Sequence, residues 1–131
     1  MASVIYPKFR EAAWQGTYNL STAVVRCVLI DTSVYTYNAA HDFYNDLSGV
    51  VGTESPALSS KTFTNGVFDA ADFTFSAVTG NTAEAMVYFV DTGNAATDAL
   101  ICYVDSGSGL PFTPNGGDCN VTVNASGICA L

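Results

Sequence analysis

Residues 63–123 form a train of short period-two segments broken by turn-forming clusters, and that pattern admits few folds. Phe73-Thr74-Phe75-Ser76-Ala77-Val78 runs into Thr79-Gly80-Asn81. Residues 84–90 run into Asp91-Thr92-Gly93-Asn94, and residues 100–104 into Asp105-Ser106-Gly107-Ser108-Gly109. Alternating segments bounded by Gly, Asn and Asp read as antiparallel strands joined by tight turns. Asn65-Gly66 between two such segments is a hairpin signal, because both residues tolerate positive φ. Phe73 and Phe75 are expected on one strand face. Leu100, Cys102 and Val104 share another, with Ile101 and Tyr103 opposite. Cys119, Val121 and Val123 point one way, and Asn120, Thr122 and Asn124 the other. In Leu110-Pro111-Phe112-Thr113-Pro114-Asn115-Gly116-Gly117 the prolines stop strand pairing and the glycines permit a sharp reversal. The count of segments is about seven to nine, the spacing of an antiparallel sandwich or open barrel. The expected fold is therefore mainly β, in a single domain over residues 1–131 with no linker, internal repeat or low-complexity tract.

The first half is less regular. Residues 6–15 are the helix candidate: Pro7 suits a first turn, Phe9, Ala13 and Trp14 make an apolar stripe, and Gly16 is a stop. Trp14, the only tryptophan, is expected to dock this short N-terminal helix onto the core. The alternative is that the segment 1–16 reaches a neighbouring subunit. Residues 23–30 are apolar on both faces, as in a doubly covered strand. Arg26 interrupts them, either reaching the sheet edge or pairing with an acid such as Asp31. Residues 39–47 suggest a short helix ending at Ser48-Gly49. Pro56 limits any strand in residues 50–60 to an edge or a break.

Charged residues are 12% of the chain, about half the usual share in a soluble domain. Faces covered by other chains would explain so few charges; a Thr-rich β domain would also show them. The net charge of −8 comes from twelve acids against Lys8, Arg10, Arg26 and Lys61. With no basic patch available, direct nucleic-acid binding is not expected. No apolar run approaches a membrane span, and Met1-Ala2-Ser3-Val4-Ile5 has no signal-like apolar region, so the expectation is synthesis in the cytoplasm with reduced thiols. Without such a signal, the Asn120-Val121-Thr122 and Asn124-Ala125-Ser126 triplets carry little weight as glycosylation acceptors. Four cysteines allow three full pairings. Cys119 and Cys129 would face each other across a terminal hairpin turning at Asn124-Ala125-Ser126-Gly127, and a one-residue register change would separate them.

Catalytic chemistry is sparse. His41-Asp42 would orient a base but lacks a recognisable nucleophile, and no nucleophile elbow is present. The cysteines lack CxxC spacing and have one histidine to join them, a poor zinc set. Asp105-Ser106-Gly107-Ser108-Gly109 and Asp69-Ala70-Ala71-Asp72 gather carboxylates at turns without the acid density of an EF-hand. Nothing fixes Asp72 and Glu84 at a glycosidase spacing. The expectation is no enzyme activity, no cofactor and no metal.

Nearly the whole chain resembles a group of small virion structural proteins of tailed bacteriophages. The resemblance is carried by an ordered series: Tyr6-Pro7-Lys8-Phe9-Arg10-Glu11-Ala12, Val28-Leu29-Ile30-Asp31-Thr32, Phe43-Tyr44-Asn45-Asp46-Leu47, and Thr74-Phe75-Ser76-Ala77-Val78-Thr79-Gly80. Its most specific members are Asp91-Thr92-Gly93 and the run from Gly109 through Leu110-Pro111-Phe112-Thr113-Pro114-Asn115-Gly116-Gly117 to Asp118. It implies a virion component and no active site. With the small size and acidic charge, the first expectation is a capsid decoration or cement protein. Such a protein binds the outer face of the major capsid protein as a homo-oligomer. Tyr6, Phe9 and Trp14 are the expected contact residues, followed by Leu110, Pro111 and Phe112. The alternatives are a neck, tail or fibre-base component, or a host-surface carbohydrate-binding module stacking Tyr35, Tyr37 and Tyr44 on sugar. Relatives in this group are poorer in cysteine, which suggests that Cys102, Cys119 and Cys129 harden the particle once it is released into an oxidising environment.

Overall fold

A computed structural model describes residues 4–106 and 109–131. Gly107 and Ser108 of the Asp105–Gly109 turn, and residues 1–3 of the N-terminal segment, lie outside the described residues. Among the described residues the chain is mainly β, with nine short strands, one helix and no closed barrel. In chain order these are β1 Val4–Ile5, α1 Pro7–Trp14, β2 Val25–Ile30, β3 Val50–Val51, β4 Val67–Phe68, β5 Phe73–Phe75, β6 Ala85–Val90, β7 Leu100–Val104, β8 Cys119–Val121 and β9 Cys129–Ala130.

An antiparallel five-stranded sheet runs in the order β1-β7-β6-β2-β3. Its centre is built from the two longest strands, and every residue of β6 is buried. Residues opposite one another across a ladder share a face. Cys27, Tyr88, Cys102 and Ile5 therefore form one row across β2, β6, β7 and β1, and Val28, Val87, Tyr103 and Val4 form the row on the other face. The edge strands β1 and β3 have two residues each, which leaves little unpaired backbone to invite another strand.

Each face has its own cover. The ribbons β4–β9 and β5–β8 lie over the row containing Tyr88, where Phe73 meets the Tyr88 ring edge-on at 6.1 Å. The opposite face is covered by the Tyr-bearing connection between β2 and β3. Tyr35 and Tyr37 pack on Tyr103, and Tyr44 meets Phe89 with ring centroids 4.9 Å apart. The result is a sandwich-like arrangement with an open sheet at its centre.

Several sequence expectations change here. The terminal hairpin does not form, since β8 pairs with β5 and β9 with β4. Cys119 and Cys129 therefore belong to different ribbons, and all four thiols are free. Arg26 pairs with Asp91, not Asp31: its Nε donates to the Asp91 carboxylate at 2.7 Å and its Nη1 to the Ser55 carbonyl at 3.1 Å. Asp31 instead accepts the Ser33 hydroxyl and N–H and the Asn81 amide. Residues 39–47 make only a three-residue 3-10 turn, Tyr44–Asp46. The Tyr44 N–H is captured by the Asp98 carbonyl, and the Asp46 carboxylate takes the N–H groups of Asp42 and Phe43. Those donors are no longer available to prolong a helix. In β7, Ile101 is an extra residue, so Leu100 stands opposite Phe89 and no longer shares the face of Cys102 and Val104.

Other local signals are reproduced. Asn65 and Gly66 both adopt positive φ, the Val67 N–H donates to the Thr64 carbonyl, and Thr62 pairs with Asp69 in hairpin register. After β3 the chain stays beside β2 without regular pairing. The Ser55 and Leu58 N–H groups donate to the Cys27 and Val25 carbonyls, while the only strand of residues 50–60, the edge strand β3, ends at Val51, and Pro56 lies outside any strand.

Two stability results follow from this geometry. Gly127 has φ +95°, and a Cβ there would collide with Val67 Cγ1 and stand 3.0 Å from the Phe68 carbonyl oxygen. Gly127→Ala is expected to lower the unfolding free energy by about 1–3 kcal/mol, read as a shift in the urea midpoint; an unchanged midpoint would contradict this packing. Stability should also fall in acid. The Ser33 hydroxyl holds the Asp31 carboxyl below the ordinary range, the Asp42 N–H does so for Asp46, and the Arg26 guanidinium for Asp91. Groups depressed in the folded state contribute stability above their unfolded value of about 4, and that stability is lost as pH falls through the folded values. Glu54, raised by burial, acts in the opposite sense but alone. Urea midpoints should therefore decline between pH 5 and pH 2, whereas a rising midpoint would show that relief of net charge dominates.

Candidate interaction surface

The helix α1 frames the principal surface feature. Tyr6 precedes it in extended conformation and Pro7 opens it, where a missing N–H costs nothing. The Gly16 N–H closes it on the Ala13 carbonyl, with Gly16 at φ +71°. Phe9 and Ala13, four residues apart, face inward. Trp14 lies about 140° around the helix from Phe9 at 100° per residue, and so turns outward. It is 83% exposed. The expectation that Trp14 anchors the core is therefore wrong, and Phe9 does that work with Tyr18 stacked on it at 6.0 Å.

Under α1 lies an open groove of about 400 Å³. Its walls come from Ile5, Phe9, Ala13 and Leu20 on one side and from Phe63, Phe68, Cys129 and Leu131 on the other. Phe63 and Leu131 are exposed large apolar residues. No Asp, Glu, Lys, Arg or His side chain lines the groove. This apolarity is notable on a chain of net charge −8. The bases are also unevenly engaged: Arg26 is held by Asp91, and the Lys61 ammonium donates to the Ala23 carbonyl. Lys8 and Arg10 remain exposed on α1, with the acid Glu11 exposed beside them in the chain.

The other expected contact residues fall in different places. Tyr6 is fully buried in its own chain, where its hydroxyl meets that of Tyr35 at 2.9 Å and its ring lies 5.1 Å from Tyr37. Burial is the main cause that pushes the Tyr6 phenol far above its ordinary pKa. Leu110, Pro111 and Phe112 lie outside the groove. Phe112 exchanges both backbone hydrogen bonds with Ala83, at 2.8 and 2.9 Å, which pins the loop beside residues 78–83. Leu110–Pro111 is a cis peptide, and Pro111 is exposed at the loop surface. The two expected contact regions are thus separate surfaces.

The remaining candidates are occupied by structural bonds. His41 Nδ1 lies 2.7 Å from the Tyr35 hydroxyl, ending a chain that begins at Tyr6. Asp72 accepts the Val123 N–H, and Glu84 accepts the N–H and hydroxyl of Thr32. Tyr35 is buried, Tyr37 is wedged between Tyr6 and Tyr103, and Tyr44 packs on Phe89. These three rings offer no joint platform for a sugar. Among the described residues no cluster of three or more His, Cys, Asp or Glu is placed to hold a metal ion, and no helix is long and apolar enough to cross a membrane.

The groove, and which of Phe9 and Trp14 turns inward, were not legible in the sequence for one reason. Phe9, Ala13 and Trp14 form a plausible stripe in one dimension, and only the helix's angle to the sheet decides which of them is covered. No protein-family model matches the chain, and no curated protein matches it significantly.

Proposed function

We propose that this chain is a non-enzymatic structural protein of a tailed-bacteriophage virion. It decorates the capsid, binding the outer face of the major capsid protein as a homo-oligomer and stabilising the head. The observation that carries this reading is Trp14 turned to solvent on α1, the helix whose inner face lines a groove free of charged side chains. A tryptophan turned to solvent contributes little to its own fold, yet aromatic anchors dominate binding energy once a partner covers them. Arg10, one turn before Trp14 on the helix, supplies a positive charge that would help fix orientation on an acidic neighbour. The short edge strands direct assembly to side-chain contacts and away from open-ended strand addition.

The test is sedimentation of the folded protein with heads from virions stripped of it. Saturable binding that protects the heads against heat-induced genome loss is the expected result. Binding to tails alone, or to host glycans with none to heads, would replace the reading with a tail component or an adhesin.

A further inference from the structure

We propose that Cys102 and Cys129 are an oxidisable pair, forming an intramolecular disulfide that staples the C-terminal strand β9 to the central sheet. Cys102 lies in the row Cys27-Tyr88-Cys102-Ile5, fully buried. Cys129 descends on that row from β9, which runs beside β1. Ile5 stands opposite Cys102 in the ladder and lines the groove together with Cys129, so the two cysteines share a neighbour. The two thiols lie close enough to act on each other's titration. Cys119 stands opposite Phe75 in the other ribbon, β5–β8.

Access singles out the same pair. Of the four cysteines, Cys129 alone is not buried, and it forms part of the groove wall. The neighbouring Cys102 thiol, with the nearby Arg10 charge, holds the Cys129 thiol below its ordinary pKa. Burial pushes the Cys102 thiol up. Cys129, the accessible member of the pair, is the attacking thiolate, and the fully buried Cys102 is the resolving thiol. The oxidant is a small disulfide of the glutathione type. The Cys129 thiolate attacks one of its sulfurs, forming a mixed disulfide and expelling one thiolate. Cys102, losing its proton, then attacks the Cys129 sulfur and expels the second. Two protein thiols are oxidised, one small disulfide is reduced to two thiols, and the two protons end on those leaving groups.

The experiment treats the folded, reduced full chain with oxidised glutathione, blocks remaining thiols with N-ethylmaleimide, and maps peptides by mass spectrometry. The expected result is loss of two of the four thiols and a Cys102–Cys129 linked peptide pair. The thermal midpoint should rise and return to its starting value with dithiothreitol, because the crosslink restricts the unfolded chain. In Cys102→Ser the reaction should stop at a glutathione adduct on Cys129. Four free thiols after treatment, a lasting adduct on wild-type Cys129, or a link involving Cys27 or Cys119 would overturn the proposal. The wild-type map decides the matter even if the variant fails to fold.

Discussion

Replacing Phe89 by alanine is expected to lower the unfolding free energy by about 3–5 kcal/mol, measured by urea or thermal denaturation. Phe89 is fully buried in β6, opposite Arg26 in one neighbouring strand and Leu100 in the other. Its ring receives the edge of Tyr44, the residue that brings the β2–β3 connection down onto the sheet. The substitution would remove a large apolar volume and undercut the cover on that face together. Domains of this kind are stable by about 5–15 kcal/mol, so a loss of this size leaves a partly unfolded population at ordinary temperature. A loss below about 1 kcal/mol, within the range of surface substitutions, would show that β6 is not the centre of the core.

Replacing Trp14 by alanine should do the reverse. At 83% exposure the side chain has little to lose on folding, so the unfolding midpoint should move by no more than about 0.5 kcal/mol equivalent. Binding to stripped heads should fall by about 30-fold or more, which corresponds to the roughly 2 kcal/mol that marks an interface anchor. Phe9→Ala is the informative companion. Phe9 is buried beneath the helix, so its loss should reduce stability first and binding only as a consequence. Unchanged head binding by a folded Trp14→Ala protein would remove the outer face of α1 from the interface.

The elements most legible in the sequence were those whose signals are local. The strand pattern of β6 and β7, the doubly buried β2, the Asn65-Gly66 turn and the Pro7-to-Gly16 helix each rest on residues adjacent in the chain. Pairing at long range was not legible. The reading of residues 119–130 as a hairpin used the nearest available partner, whereas β8 crosses to Phe73–Phe75 and β9 to Val67–Phe68. Alternation cannot choose between partners that satisfy it equally. The missed bulge in β7 has a similar origin, since one extra residue, Ile101, leaves the apolar pattern intact while moving Leu100 to the other face. Arg26 was correctly read as a structural ion-pair donor, but the nearby Asp31 was a worse guide than Asp91 at the end of the adjacent strand β6. The candidate surface was the least legible part. A groove between a helix and segments as distant in sequence as Phe63–Phe68 and Cys129–Leu131 is set by how the layers meet, and no short motif encodes that.

Quantitative peptide mass spectrometry on separated heads and tails of purified virions tests the central claim most directly. A capsid decoration role predicts hundreds of copies per particle, confined to the head fraction and in fixed ratio to the major capsid protein. A handful of copies confined to tails, or absence from both fractions, would contradict it.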